Sequence, residues 1–207
     1  NSLGTVYDAT KQLEQEQSVE IFFCALNMIQ KLMDCPDVAI YRVNKEKYAR
    51  LFAYSSAKAA SMGNTVYLPD KKPLDKACNE NRVYINRSME KEYPMMAYNV
   101  ESEEQMEILI MLWSLPFERM TINEANRLIV IGKLIQTSVR RADRYLEALS
   151  EERYHSESQI LKASAFEELV GAYRKAGKEK LTEYVLLQIE VEGENEKETV
   201  DKCTSLL

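Results

Sequence analysis

Two short runs of β-branched and aromatic residues constrain the fold of this chain more than any other feature. Residues 38–43 read VAIYRV and residues 48–54 read YARLFAY, with the polar residues 44–47 between them. Runs of this length on either side of a short polar turn predict a β-hairpin. An apolar segment of helical character at residues 19–33 precedes the hairpin, and Pro36 ends it because proline cannot continue a helix. The fold is therefore expected to begin with a helix packed on an antiparallel hairpin.

Later segments extend this pattern. Thr121 and Glu124 have the spacing of a capping box and predict the start of a long helix. The other predicted elements are strands at residues 65–68, 82–86 and 106–115, a helix with proline in its first turn at residues 73–81, and a mostly irregular stretch at residues 90–104. Together they predict an α/β (α+β) fold, in which helices flank an antiparallel sheet.

A heptad-like seam continues along the long helix and beyond it. Its members are Ile135, Val139, Ala142, Leu146, Leu149, Arg153, Ser156, Ile160 and Ala163. Alternating steps of four and three predict a coiled-coil connector, and the alternative is a long helix packed on its own domain. A weaker seam at the N-terminus consists of Leu3, Val6, Thr10 and Leu13. Both seams predict that the protein is a homodimer.

Composition argues against several classes of function. The chain of 207 residues has a net charge of −6, whereas a general nucleic-acid binder would be basic. His155 is the only histidine, and the cysteines Cys24, Cys35, Cys78 and Cys203 are widely scattered. These residues predict neither a usual zinc site nor histidine-based catalysis, and no phosphate-binding glycine motif occurs. We therefore expect a reduced, cytoplasmic, non-enzymatic protein without a metal, a cofactor or a nucleic-acid partner.

The last forty or so residues predict the start of a second domain. Residues 166–176 have helical character, and Gly177 stands just past their end, where a left-handed residue is favoured. Residues 184–191, YVLLQIEV, predict a strand, which is followed by an acidic turn and the beginning of another helix. A helix, a strand and a helix cannot close a core of their own, so we expect this domain to be only partly represented.

The element order of the first module resembles that of a GAF domain. Residues 160–193, ILKASAFEELVGAYRKAGKEKLTEYVLLQIEVEG, resemble the first helix and strand of a GGDEF domain. Active diguanylate cyclases end this strand in a pattern like I-D-I-D-H-F-K, whereas Glu190 and Glu192 stand here at the acidic positions and H-F-K is missing, which indicates a degenerate domain. The combination is similar to the cytosolic part of the PelD family. The stretches that carry this likeness are LGTVYDATKQL at residues 3–13, DVAIYRV at 37–43, RVYINR at 82–87 and PFERMT at 116–121.

The resemblance implies a membrane-anchored receptor for cyclic di-GMP that controls Pel exopolysaccharide synthesis. Family members carry transmembrane helices ahead of the GAF domain, so the chain would lie on the cytoplasmic side of the membrane. They bind the dinucleotide at an R-x-x-D site of the second domain, which is expected here beyond Leu207, and they act on the polysaccharide synthesis machinery. The implied division is a juxtamembrane or dimerisation helix at residues 1–16, a GAF domain at 17–149, a helical connector at 150–163 and a partial degenerate GGDEF domain at 164–207.

Some residues of the chain could themselves form a site. Arg140 and Asp143 spell R-x-x-D, and an arginine can clamp a phosphate or a guanine edge; on one helix, however, the two favour an intrahelical ion pair. Glu190 and Glu192 would face one side of a strand and could bind Mg²⁺, or simply be solvated. The strand aromatics could line a small-molecule pocket or form ordinary core: Tyr41, Phe52, Tyr54, Tyr84 and Trp113.

One enzymatic alternative follows from the GAF resemblance. Some GAF proteins resemble free methionine sulfoxide reductases, which need a cysteine pair that reaches the pocket. Cys78 lies in a predicted helix in the middle of the domain, and Cys24 and Cys35 lie within and just after the apolar helix. Buried structural thiols are the alternative explanation for all three.

Overall fold

A six-stranded antiparallel sheet is the centre of the computed structural model, which describes residues 18–100, 107–155 and 160–188. Its strands are β1 (Val38–Val43), β2 (Tyr48–Tyr54), β3 (Thr65–Tyr67), β4 (Tyr84–Ile85), β5 (Met96–Val100) and β6 (Glu107–Leu112). They lie in the order β3-β2-β1-β6-β5-β4, and each neighbouring pair is antiparallel. The predicted hairpin is β1 and β2, and the predicted α+β class is confirmed.

Helices lie on both sides of this sheet. They are α1 (Ser18–Met33), α2 (Lys72–Asn79), α3 (Ile122–Ala148), α4 (Ser150–Arg153) and α5 (Ala163–Lys178), with short 3-10 turns at Leu68–Asp70 and Phe117–Arg119. The side chain of Thr121 accepts a hydrogen bond from the amide of Glu124 at 3.3 Å and so caps α3 as predicted. No helix within the described ranges is both long and apolar enough to cross a membrane.

Both faces of the sheet are buried, because successive side chains of a strand point to opposite sides. On the first face, β-strand residues such as Ile40 and Ile110 pack with Leu26 of α1 and Leu128 of α3. The second face is covered by the 3-10 turn Leu68–Asp70, by α2 and by the loop before β3. Its buried members are Ala39, Tyr41, Val43, Ala49, Ala59, Val66, Leu68, Leu74, Cys78, Ala97, Leu109, Met111 and Trp113. Burial on two sides explains the nearly continuous apolar sequence of β6.

Three helices end in the same way, and none of them uses glycine at the left-handed position. Asp34, Asn81 and Lys180 have φ values of 43°, 47° and 58°. In each case the next residue donates its amide to a carbonyl five residues earlier, which is the hydrogen bond of a Schellman motif. The prediction that Gly177 takes the left-handed position is wrong, because Gly177 lies within α5 and Lys180 takes it instead.

The end of α3 differs from the predicted continuous seam. Ile135 and Val139 are buried in the core of their own domain, where they face α1 and the sheet, so the alternative of a helix packed on its own domain holds for them. The helix stops at Ala148, and beyond α4 the residues Tyr154 and Leu161 form an antiparallel bridge. A seam that runs unbroken to Ala163 is therefore wrong, and α5 contacts α1 instead.

Two strand predictions also change. The stretch expected to be irregular contains β5, which lies inside the sheet between β4 and β6. Residues 184–188 of the predicted final strand form no strand, and its last three residues lie outside the described residues. The proposed domain boundaries stay predictions, and the predicted helix at residues 1–16 also lies outside the described residues.

Candidate functional site

The second face of the sheet is the candidate site, since it holds most of the strand aromatics singled out in the sequence. Tyr41 is fully buried there and its hydroxyl donates a hydrogen bond to the carbonyl of Gly63 at 3.1 Å. Burial raises the pKa of Tyr41 to about 12. Trp113 is also buried, and its indole N–H has no hydrogen-bond partner within the described part of the chain. Aromatic side chains thus fill this face and leave one donor unsatisfied.

A group of polar residues lies at one end of the same face. Asn99 of β5 is 3% exposed and donates its amide to the carboxylate of Glu107, while its Oδ1 atom lacks a partner among the described residues. Nearby, Lys47 Nζ donates to Asn79 Oδ1 at 3.0 Å, and Asn79 Nδ2 donates to Asp75 Oδ2 at 3.1 Å. The sequence analysis missed Asn99 because β5 was not predicted. A polar residue inside a short apolar run, MAYNV, was the available signal.

Cys78 lies between these polar residues and the apolar part of the face. Burial raises the pKa of its thiol to about 12, and the opposing effect of the Lys47 charge is smaller. A thiol with this pKa is protonated at neutral pH and is a poor nucleophile. Cys24 and Cys35 pack on the first face of the sheet, so the structure does not bring them together with Cys78.

The remaining aromatics divide between the two faces. Phe52 lies on the first face, with its ring centroid 4.7 Å from that of Phe22 and 5.8 Å from the guanidinium of Arg42. Tyr54 and Tyr84 pack at the margin of the second face. Burial, together with Glu90 and Tyr93, raises the pKa of Tyr84 to about 12. The five predicted aromatics therefore do not line a single pocket.

An open depression lies beside Tyr84, between α2 and β4. Its lining includes Pro73 and Val83 and the side chains of Lys76, Arg82 and Arg87. Glu80 pairs with both Lys76, at 3.9 Å, and Arg82. The carboxylates of Glu80 and of Glu90, which also lines the depression, offset two of its three positive charges, so little net charge remains to hold an anion.

The R-x-x-D residues lie on the C-terminal half of α3. Arg140 is half-buried, and together with Thr137, Arg141 and Arg144 it lines a shallow surface depression. The side chain of Asp143 is outside the described residues. The arginines give this part of the helix a basic surface that could contact an anionic group.

The remaining predicted site residues form no described site. Glu190 and Glu192 lie outside the described residues. Within residues 18–100, 107–155 and 160–188, no cluster of three or more histidine, cysteine, aspartate and glutamate side chains is placed to hold a metal ion. His155 donates its backbone amide to the carbonyl of Ile160 at 2.9 Å, beside the bridge that follows α4.

Comparison with known proteins identifies the fold. No protein-family model and no curated protein matches the sequence. A solved structure of a methyl-accepting chemotaxis protein, residues 122 to 287, has a TM-score of 0.53 at 8% identity and covers 66% of this chain and 98% of that one. The GAF domain of a protein described as a sensor histidine kinase from Pseudomonas syringae has a TM-score of 0.50 at 13% identity, with coverages of 73% and 92%.

A third solved structure is a C-terminal part of PelD from Pseudomonas aeruginosa. It has a TM-score of 0.51 at 10% identity, and the match covers 84% of this chain but only 55% of the PelD structure. Similarity at such low identity establishes architecture alone. The antiparallel sheet, the helices on its first face and these structural relatives show that the described part of the chain has a GAF-like fold.

Proposed function

We propose that the chain is the non-catalytic, GAF-type regulatory part of a cyclic di-GMP receptor that controls Pel-type exopolysaccharide synthesis. The observation that supports this is the extent of the likeness to PelD. It covers 84% of this chain, which includes residues beyond the GAF-like sheet and its helices. The resemblance of residues 160–193 to a degenerate GGDEF domain supports the same proposal from the sequence.

In this proposal the GAF-like domain transmits a change in helix pairing instead of performing chemistry. Helices α1 and α3 pack side by side on the first face of the sheet, so a change at either helix is transmitted to the other. Ligand binding would shift the population of two arrangements of the dimer, and thereby the activity of the polysaccharide machinery at the cytoplasmic side of the membrane. The proposal places the dinucleotide site outside residues 1–207, because Arg140 lies on a helix of the GAF-like domain.

Calorimetric titration with cyclic di-GMP tests this proposal. We expect no binding to residues 1–207 and saturable binding to a longer form of the protein that carries a complete second domain. Cyclic di-AMP is the control ligand. Binding to both would place the site in this chain, and Arg140→Ala would then be expected to weaken it. The absence of binding to either protein would overturn the receptor proposal.

The second candidate function is that of a GAF sensor for its own small molecule. It is supported by Asn99 and Trp113, because each has a buried polar atom without a partner among the described residues. An unpaired buried group costs free energy that a bound ligand or ordered water would recover. Native mass spectrometry of the purified protein tests this, because a bound ligand adds mass that Asn99→Leu should remove.

Catalysis by a free methionine sulfoxide reductase mechanism is the least supported alternative. Cys78 is separated by the sheet from Cys24 and Cys35, and burial raises its pKa. Thiol-dependent turnover of free methionine sulfoxide, lost in Cys78→Ser, would contradict the non-catalytic proposal.

A further inference from the structure

Helix α5 packs on the GAF-like core through small side chains and one aromatic residue. Ala172 and Ala176 are buried, and both line the groove between α5 and α1. Tyr173 is half-buried in an aromatic cluster, with its ring centroid 6.2 Å from that of Phe23 and 6.5 Å from that of Phe52. The apolar area that holds α5 in place is therefore small compared with the main core.

The segment after α5 covers part of a sheet edge. The left-handed turn at Lys180 directs Leu181 into the first-face core, where it is 7% exposed. The amide of Tyr54 donates to the carbonyl of Leu181 at 2.8 Å, and the hydroxyl of Thr182 donates to the carbonyl of Phe52 at 3.2 Å. Both of these backbone groups of β2 therefore point to its outer edge, away from β1.

These two hydrogen bonds satisfy backbone groups in the half of β2 that does not pair with β3. β3 pairs with the first half of β2, at Tyr48, Ala49 and Arg50, so the second half would otherwise be an exposed edge. An uncovered edge of this kind accepts strands from other chains. Leu181 and Thr182 therefore act as an edge cover that is tethered to the end of α5.

Arg153 of α4 donates to Glu168 in the first half of α5 at 2.8 Å, whereas the ion pair between α5 and α1 is solvent-exposed. Lys175 lies 3.9 Å from Glu20, but the lysine side chain is 66% exposed, and such a pair contributes little to stability. Beyond Thr182 the chain carries Val185 and Leu187, which are 84% and 76% exposed. The segment is thus held by a few local contacts and continues into apolar residues that the described structure leaves uncovered.

We propose that α5 together with Leu181 and Thr182 is a latch that opens from β2 while the rest of the domain stays folded. Opening breaks the two hydrogen bonds to β2 and exposes Tyr173 and Leu181, but it leaves α1, α3 and the interior strands in place. A contact made by the residues after Thr182 would thereby change how often the outer edge of β2 is exposed. This regulation does not depend on cyclic di-GMP, and its test is separate from the test of the receptor proposal.

Native-state hydrogen exchange tests the latch in the unmodified chain. The amide of Tyr54 reports on the contact with Leu181, and the amide of Ile110, on the interior strand β6, reports on the core. We expect the Tyr54 amide to exchange at least about tenfold faster than the Ile110 amide and to respond much less to low concentrations of urea. Equal rates with the same urea dependence would overturn the proposal.

Two variants sharpen this test. Tyr173→Ala is expected to accelerate exchange at Tyr54 several-fold and to leave Ile110 unchanged; equal acceleration at both amides would contradict the latch. Ala172→Cys places a thiol in the groove that Cys24 also lines. Once the two cysteines are oxidised to a disulfide, Tyr54 should exchange as slowly as Ile110, and reduction should restore the fast rate. An unchanged Tyr54 rate in the disulfide-linked protein would also overturn the proposal.

Discussion

Gly132 of α3 and Val100 of β5 approach so closely that a Cβ atom at position 132 would lie 2.8 Å from the Cγ2 atom of Val100. The same atom would lie 3.0 Å from Cδ1 of Tyr98. A glycine inside a helix costs about 1 kcal/mol relative to alanine. This residue is therefore explained by the close contact between the long helix and the sheet, and not by helix propensity.

Gly132→Ala is expected to lower the free energy of unfolding by about 1–2 kcal/mol, because the strain of overpacking exceeds the gain in helix propensity. Urea denaturation measures the change. Gly171→Ala is the matched control, since a Cβ atom there meets nothing within 4 Å. That control should raise stability by up to about 1 kcal/mol. If Gly132→Ala is as stable as the natural chain, the contact with Val100 is looser than described.

Lys180 is expected to be a position where glycine stabilises the protein. Its φ of 58° is left-handed, which costs an L-residue roughly 1–2 kcal/mol. Lys180→Gly removes this cost but makes the unfolded chain more flexible, so a net gain of about 0.5–1 kcal/mol in unfolding free energy is expected. Lys178→Gly, in the last turn of α5, should instead lose about 1 kcal/mol. Equal losses in both variants, measured by urea denaturation, would contradict the prediction.

The sequence predicted those elements whose local signals agree with their tertiary environment. The hairpin of β1 and β2, the capped start of α3 and the apolar strand β6 are all of this kind. β5 was missed because its five residues stand within residues 90–104, a stretch that is mostly polar and contains Pro94 and so predicted a loop. Its strand conformation is imposed by pairing with β6, which no local pattern encodes.

The candidate site was less predictable than the fold. Helical periodicity shows that Ile135 and Val139 are buried, but it does not show whether they face another chain or their own sheet. Likewise the strand aromatics were recognised, but Phe52 and Tyr54 lie on opposite faces although they are two residues apart, because β2 has a bulge opposite Ile40 and Tyr41. A bulge of one residue reverses the side to which later residues point, and sequence alternation does not reveal it.

Asp37 is expected to make stability depend on pH in the acid range. Burial raises the pKa of this carboxyl, but hydrogen bonds from Ser114 and Ser56 and the charge of Lys58, 3.8 Å away, bring it below its ordinary value. A carboxyl with a lowered pKa in the folded state stabilises fully above its unfolded pKa of about 3.9 and loses this effect as the pH falls through the folded pKa.

Asp37→Asn should therefore lower the free energy of unfolding at pH 7 by about 1–2 kcal/mol. The difference from the natural chain should shrink as the pH is lowered below about 4. Urea denaturation at pH 7, 5 and 3 measures both. Glu118→Gln, on the exposed Phe117–Arg119 turn, serves as the control and should differ by less than about 0.5 kcal/mol at each pH. A difference that stays constant with pH would show that Asp37 acts through shape and not through charge.

Leu146 and Leu149 are two leucines of the predicted seam that the core of their own domain does not fully bury. Both are half-buried near the end of α3, whereas Val139 is 4% exposed in the core of its own domain. If the proposed homodimer uses this seam, the double variant Leu146→Glu, Leu149→Glu should have the mass of a monomer by light scattering and an unchanged circular dichroism spectrum. Thr137→Glu, on the exposed side of α3, should remain dimeric. Val139→Glu should instead unfold the chain, because it buries an unpaired charge. A natural chain that is monomeric, or a double variant that stays dimeric, would show that this seam does not form the dimer.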